Sequence, residues 1–184
     1  MQVWFPGEAF GEALAEMLLG VAEPGGRLPL TIPEQLADTP AYPYYPGTDG
    51  RAVYGEGLLI GHRWYDATGI EPVFAFGHGL GYTQWALGDA TLSGDTEQGV
   101  VVTVTARNTG DRAGATVVQC YVDSPVADPD GRHGTRRPLR TLRGFAKVRA
   151  AAGEQATATI VLDRRAFSVW DEPTHSWVVP AGDH

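Results

Sequence analysis

The stretch YGEGLLIGHRWYDATGIEPVFAFGHGLGYT, residues 54–83, joins a first half of α/β character to a second half of all-β character. Leu58, Leu59 and Ile60 form a short apolar run between Gly57 and Gly61. By length the run suits a buried strand or a piece of buried helix, and the flanking glycines favour the strand. Trp64 and Tyr65 lead into Asp66-Ala67-Thr68-Gly69, which reads as an Asp-to-Gly turn, and Pro72 forbids helix immediately afterwards. Phe74, Phe76, Leu80 and Tyr82 alternate with Gly77, Gly79 and Gly81, so large rings sit where the backbone also approaches something closely. That pattern marks a seam between packed bodies.

Downstream of the seam the hydrophobic period becomes two. Residues 100–108 alternate Val102, Val104 and Ala106 against Val101, Thr103 and Thr105, and stop at Asn108-Thr109-Gly110. Val118, Cys120 and Val122 share one face of the next run. Residues 139–148 form another, with a bulge expected where Leu142 and Phe145 are offset across Gly144. Ala156, Ala158, Ile160 and Leu162 give a further alternation, residues 167–170 and 177–179 supply two short closing strands, and residues 90–92 open the set. The expectation is seven short strands in a two-sheet sandwich of immunoglobulin or fibronectin type III kind, without a cysteine pair.

Upstream, the sequence predicts a helix that begins at Gly7 and ends at Leu19, with Phe10, Ala13, Leu14, Met17 and Leu18 on one apolar face and Gly20 as its stop. A Pro-Gly-Gly turn leads to an extended segment at residues 28–32, where proline restricts pairing to an edge or a strand end. Only Gln2 and Val3 precede Trp4 to represent a strand. Leaving Phe10, Leu14, Met17 and Leu18 exposed forgoes roughly 1.5 to 3 kcal/mol each, against a whole-domain stability of about 5 to 15 kcal/mol. The helix therefore needs a surface in this chain, in a second copy or in another polypeptide. Residues 34–53 are turn-rich, with Tyr42, Tyr44 and Tyr45 among Pro40, Pro43 and Pro46, a loop pinned by ring packing or an aromatic lining for a sugar.

The residues also carry a resemblance. EGLLIGHRWYD at residues 56–66 followed by EPVFAFGHGLGYT at residues 71–83 resembles the segment of glycoside hydrolase family 3, the β-glucosidase and β-xylosidase group, that ends the second domain and enters a fibronectin type III-like domain. Trp4-Phe5-Pro6-Gly7-Glu8 and the run GGRLPLTIP at residues 25–33 resemble the family's W-x-P-G-[QE] and S-G-[RK]-L-P-x-T-x-P motifs. Tyr45-Pro46-Gly47, Asn108-Thr109-Gly110 and Leu142-Arg143-Gly144-Phe145 follow in the family's order. The resemblance implies residues 1–84 as the remnant of an α/β domain with its linker and residues 85–184 as the fibronectin type III-like domain. The fold class expected is mainly β, a seven-stranded sandwich preceded by the truncated end of an α/β sandwich domain.

For chemistry, a retaining glycosidase needs two carboxyl groups about 5 to 5.5 Å apart, one nucleophile and one acid/base. The resemblance places the nucleophilic aspartate in an N-terminal barrel and the acid/base glutamate upstream of the W-x-P-G motif, outside this sequence. Glu56, Asp66 and Glu71 fall in linker and strand positions, where Glu56 and Asp66 are expected to cap turns or pair with Arg63, so no catalytic residue is assigned. Gly77 to Gly81 is glycine-rich, but Tyr82 stands where a dinucleotide fingerprint needs Gly or Ala. His62, His78, His133, His175 and His184 are scattered without metal-ligand spacing, and Ser168 and Ser176 lack a nucleophile-elbow setting. No cofactor and no metal is expected.

The formal net charge of −8 works against binding nucleic acid, whose phosphates demand a basic face. Arg132, Arg136, Arg137, Arg140 and Arg143 form one local basic run, read as a solvated face or a docking patch for an acidic neighbour. Cys120 is the only cysteine, so no internal disulfide can form, and its apolar strand marks it as a small core residue. No apolar run approaches a membrane span, and the first residues lack a signal peptide's basic start and apolar core, which leaves the cytoplasm as the default expectation. The function expected is that of a C-terminal portion of a β-glucosidase-like hydrolase, inactive alone. Its expected partner is an N-terminal catalytic half, or a second copy through the first helix. The alternatives are a subunit of a split glycosidase and a stand-alone sandwich that binds carbohydrate or protein.

Overall fold

The structure, a computed structural model, describes residues 1–127 and 136–184. Among the described residues seven strands follow two short α-helices: β1 (Trp85–Asp95), β2 (Gly99–Asn108), β3 (Gly114–Asp123), β4 (Arg140–Ala150), β5 (Gln155–Leu162), β6 (Val169–Asp171) and β7 (Ser176–Val178). One sheet has the antiparallel order β1-β2-β5, a second pairs β3 with β4, and β6 and β7 form a separate hairpin. This mainly β architecture is the one the alternating runs predict. The period of two explains it: Val102, Val104 and Ala106 of β2 and Ala158, Ile160 and Leu162 of β5 are buried on one face, and Val118, Val122 and Val148 meet them from the second sheet.

The two sheets approach each other tightly at Gly144. A Cβ there would collide with Ile160 Cγ2 and stand 3.0 Å from Leu162 Cδ2, so only glycine fits. The expected bulge lies beside it, because Cys120 pairs with Gly144 and Tyr121 with Leu142, leaving Arg143 as the extra residue. Cys120 is half-buried against the core, and burial pushes its thiol up. Phe167, expected to begin a strand, instead ends the 3-10 turn Arg164–Phe167, which Asp163 caps by accepting from the Ala166 N–H. The cap sets the chain's direction before alternation resumes at Val169.

In the first half α1 (Phe10–Leu18) forms where the apolar face predicts it, and Gly20 ends it with φ of 74°. No residue of α1 is buried, although Phe10, Leu14 and Met17 are partly covered. Two expectations fail between residues 55 and 69. Gly55 to Leu58 form turns and only Leu59 of the apolar run is buried, so Leu58-Leu59-Ile60 is not a strand. Among the described residues no strand lies alongside for it to pair with. Asp66-Ala67-Thr68 is the last turn of a helix, α2 (His62–Thr68), which Gly69 ends in the left-handed conformation at φ 68°. Gly69 is thus a helix C-cap and not the close of an Asp-to-Gly turn. The extended segment at 28–32 lies antiparallel to the seam: Ile32 pairs with Phe74, Leu28 N–H donates to His78 O at 2.8 Å, and Gly77 N–H donates to Leu28 O at 2.7 Å.

Candidate functional site

The seam is where the two halves exchange polar contacts. α2 projects Asp66 toward the start of β4, where Arg140 Nη2 donates to Oδ1 at 3.0 Å and Nε to Oδ2 at 3.2 Å. This two-point geometry is the strong form of an arginine–carboxylate pair. It corrects the expected pairing of Asp66 with Arg63, whose guanidinium donates instead to the Leu58 carbonyl at 3.4 Å. The Arg140 guanidinium also lies 5.7 Å from the Tyr121 ring centroid. Tyr121 Oη donates to Gln119 Oε1 at 2.8 Å, and Gln119 Nε2 donates to the Gly77 carbonyl at 3.2 Å. Polar contacts thus run from α2 through β3 to the glycine-rich turn.

Behind them is a cleft of about 450 Å³ whose walls include Thr31, His62, Glu71, Phe76, Tyr121 and Arg140. His62 stacks on Phe76 with centroids 4.6 Å apart and meets Tyr121 edge-on at 6.1 Å. Burial holds its imidazole below the usual value of 6.5, Asp66 opposes that shift, and Arg63 and Arg140 add to it. Arg140 is held above its usual value by its hydrogen bond to Asp66. Thr31 Oγ1 and His62 Nε2 are enclosed without a hydrogen-bond partner among the described residues. The cleft offers one carboxylate tied to an arginine, one exposed carboxylate at Glu71 and an imidazole whose pKa burial lowers.

The other predicted positions separate. Glu56 is buried, but its side chain caps no turn and pairs with no basic group among the described residues; its Oε2 has no partner there. In the loop at residues 40–46, Tyr42 and Tyr45 are exposed, and Tyr44 packs against Gly55, where a Cβ would collide with the ring. The arginine run is dispersed. Arg132 and His133 lie outside the described residues, Arg140 is committed to Asp66, Arg137 donates to the Trp170 carbonyl at 3.4 Å, and Arg143 is exposed on the bulge. Among the described residues no group of three or more His, Cys, Asp or Glu side chains is placed to hold a metal ion, and no helix is long and apolar enough to cross a membrane.

Sequence reasoning missed the residue that ties the knot at the base of the seam. Asn108 is fully buried: its Oδ1 accepts from Thr83 Oγ1 and the Gly110 N–H, and its Nδ2 donates to Arg112 O at 2.7 Å and Ala150 O at 3.2 Å. Asn-Thr-Gly after a strand signals a turn, and only the tertiary fold supplies Thr83 and Ala150. Nearby, the Glu23 carboxylate accepts from the Tyr82 N–H at 3.1 Å, Tyr82 Oη donates to Met17 O, and Arg112 lies 5.2 Å from the Tyr82 ring centroid while donating to Gly20 O. These contacts dock the end of α1 on the seam.

Known proteins resemble the chain in both halves. Residues 1–82 match the glycosyl hydrolase family 3 C-terminal domain, and residues 116–184 match the fibronectin type III-like domain. A β-glucosidase of Rhizobium radiobacter is 43% identical over 191 residues, covering 100% of this chain and 22% of that protein. The thermostable β-glucosidase B of Acetivibrio thermocellus is 39% identical, with 100% of this chain and 24% of that protein covered. Among solved structures, a family 3 β-glucosidase of Bifidobacterium adolescentis superposes with a TM-score of 0.86 at 38% identity, over 97% of this chain and 26% of the other. A β-glucosidase of Streptomyces venezuelae in complex with D-glucose gives 0.84 at 38% identity, over 96% and 22%. The chain thus spans about a quarter of the length of the relatives it matches. Two domain matches in one order, together with relatives aligned from end to end of the chain, place it in glycoside hydrolase family 3 as a C-terminal portion of that architecture, ending in the fibronectin type III-like domain.

Proposed function

We propose that the chain serves as the structural C-terminal portion of a β-glucosidase that hydrolyses terminal β-linked sugars, with the sandwich beginning at Trp85 and the remnant of the α/β domain ending at residue 84. The observation that carries this reading is the share of the relatives covered, 22 to 24%, by a chain in which the one well-placed carboxylate of the seam, Asp66, is neutralised by Arg140. Both carboxylate oxygens of Asp66 are committed to the Arg140 guanidinium. The catalytic pair belongs on an upstream portion, and the chain alone is expected to be inactive.

The apolar face of α1 fits this placement. Leu18 and Leu19 are exposed, as are Trp4 and Phe5 before the helix, while Tyr82 of the seam contacts the helix's C-terminal end at Met17 O. An upstream α/β body would supply the sheet that a helix of this pattern covers. The test is light scattering on the purified chain together with an assay on 4-nitrophenyl β-glucoside. The expected result is no turnover; hydrolysis by the isolated chain would overturn the assignment. A dimer held through α1 would assign that face to a second copy in place of an upstream body.

A further inference from the structure

Among the described residues the second sheet is one strand narrower than the first. In an antiparallel ladder directly opposed residues share a face. Leu87, Ala90 and Leu92 of β1 oppose Ala106, Val104 and Val102 of β2, so all three sit on the side of the sheet that faces the core. Those β2 residues are buried, yet Leu87 is 58% and Leu92 70% exposed, and Ala90 is exposed as well. The order of the strands explains the difference. β4 stands over β5, where Gly144 meets Ile160, and Val118 and Val122 of β3 join the core with the side chains of β2. Among the described residues no strand of the second sheet lies over β1, β3 pairs with β4 alone, and β1 pairs with β2 alone. Trp85 packs against the core at the base of β1, so the open slot runs from Leu87 to Asp95. At about 3.3 Å per residue it is about 30 Å long.

The slot and the strand that overhangs it have the same width, one strand, which makes this surface complementary to itself. β1 and β3 both start at the seam, where Thr83 lies against Gly114, and run away from it in one direction. A twofold axis parallel to the strands therefore seats the β1 of a second copy beside β3 and over the first copy's β1, and does the reverse on the other side. We propose that residues 87–95 form a self-complementary interface through which two copies of this chain pair, so that the three strands of one copy's first sheet continue into the two of the other's second sheet. The stripes of Leu87, Ala90 and Leu92 meet across the axis. The free edges of β1 and β3, which left open are templates for aggregation, are covered. With a strand face about 5 Å wide and sheet edges about 10 Å tall, the pairing buries on the order of 1,500 Å² in total, inside the range of specific, stable interfaces. A second copy is the occupant because the slot has the shape of the chain's own overhang. This pairing depends on the sandwich alone and not on the activity proposed above.

Sedimentation of the purified chain over a range of concentrations reads the pairing. The expected result is a dimer whose mass halves in Leu92→Asp, with circular dichroism unchanged because Leu92 is exposed in a single copy. The dimer is expected to persist in Leu18→Asp, at the exposed end of α1. Ala90→Cys places a thiol on the stripe, and Thr91→Cys places one on the opposite face of β1. Packed sheets stand about 10 Å apart, too far for a direct disulfide, so a short bis-maleimide is the probe. It is expected to link Ala90→Cys into covalent dimers and to leave Thr91→Cys and the wild-type chain, whose single Cys120 is half-buried, unlinked. A wild-type chain that stays monomeric at every concentration overturns the proposal. So does a dimer that survives Leu92→Asp or that Leu18→Asp breaks, and so does equal linking of the two cysteine variants. If Leu92→Asp alters the dichroism, the linking of Ala90→Cys against Thr91→Cys decides.

Discussion

At the scale of single residues, burial decides what each polar group is worth. Asn108 has both ends of its amide satisfied in a dry site, so Asn108→Ala leaves the Arg112 and Ala150 carbonyls and the Gly110 N–H without their partner. The expected loss is on the order of 3 kcal/mol, read from chemical denaturation of the chain. His62 gives a pH dependence whose sign follows from its environment. Its folded pKa lies below the unfolded value of 6.5, so the unfolded chain binds the extra proton first. The stability this imidazole contributes is present above the unfolded value and declines as pH falls from there toward the folded one. The thermal midpoint should therefore drop between about pH 7 and pH 5, and His62→Phe, which keeps a ring against Phe76, should flatten that part of the profile.

At the scale of elements, packing distances set the tolerances. Gly144 lies where β4 crosses β5, and Gly144→Val would drive two added methyl groups as well as a Cβ toward Ile160 and Leu162. Overpacking of this kind costs about 1 to 3 kcal/mol or more, visible as a lower midpoint of denaturation without loss of strand content by circular dichroism. The Asp66–Arg140 pair joins α2 to β4, but its side chains are 21% and 53% exposed, and solvent weakens it. A double-mutant cycle with Asp66→Asn and Arg140→Gln should return a coupling of about 0.5 to 1 kcal/mol that shrinks with added salt. A coupling near zero would mean that the pair only records the position of α2.

At the scale of the whole molecule, the two halves are built on different physics. The sandwich closes its own core, with Ala106 at 0% and Ala158 at 1% exposure, whereas the first half buries Leu59 and Tyr65 and leaves α1 with no buried residue. Hydrogen exchange should therefore find the slowest amides in β2 and β5 and near-unprotected amides in α1. Equal protection in α1 would mean that another surface covers it in solution.

The sequence by itself determined the sandwich, because a period of two states which side chains face inward whatever they face, and the bulge at Gly144 was legible for the same reason. It also determined α1, whose face repeats at helical spacing and whose stop is a glycine. Only the tertiary structure decided between strand and turn at Leu58-Leu59-Ile60, and between turn and helix at Asp66-Ala67-Thr68. Those runs are too short to show a period, so their form depends on whether a partner strand lies alongside. The partners of Asp66 and Asn108 were beyond sequence too. An ion pair or a buried amide is made between residues 74 or 42 positions apart, and no local pattern records that distance.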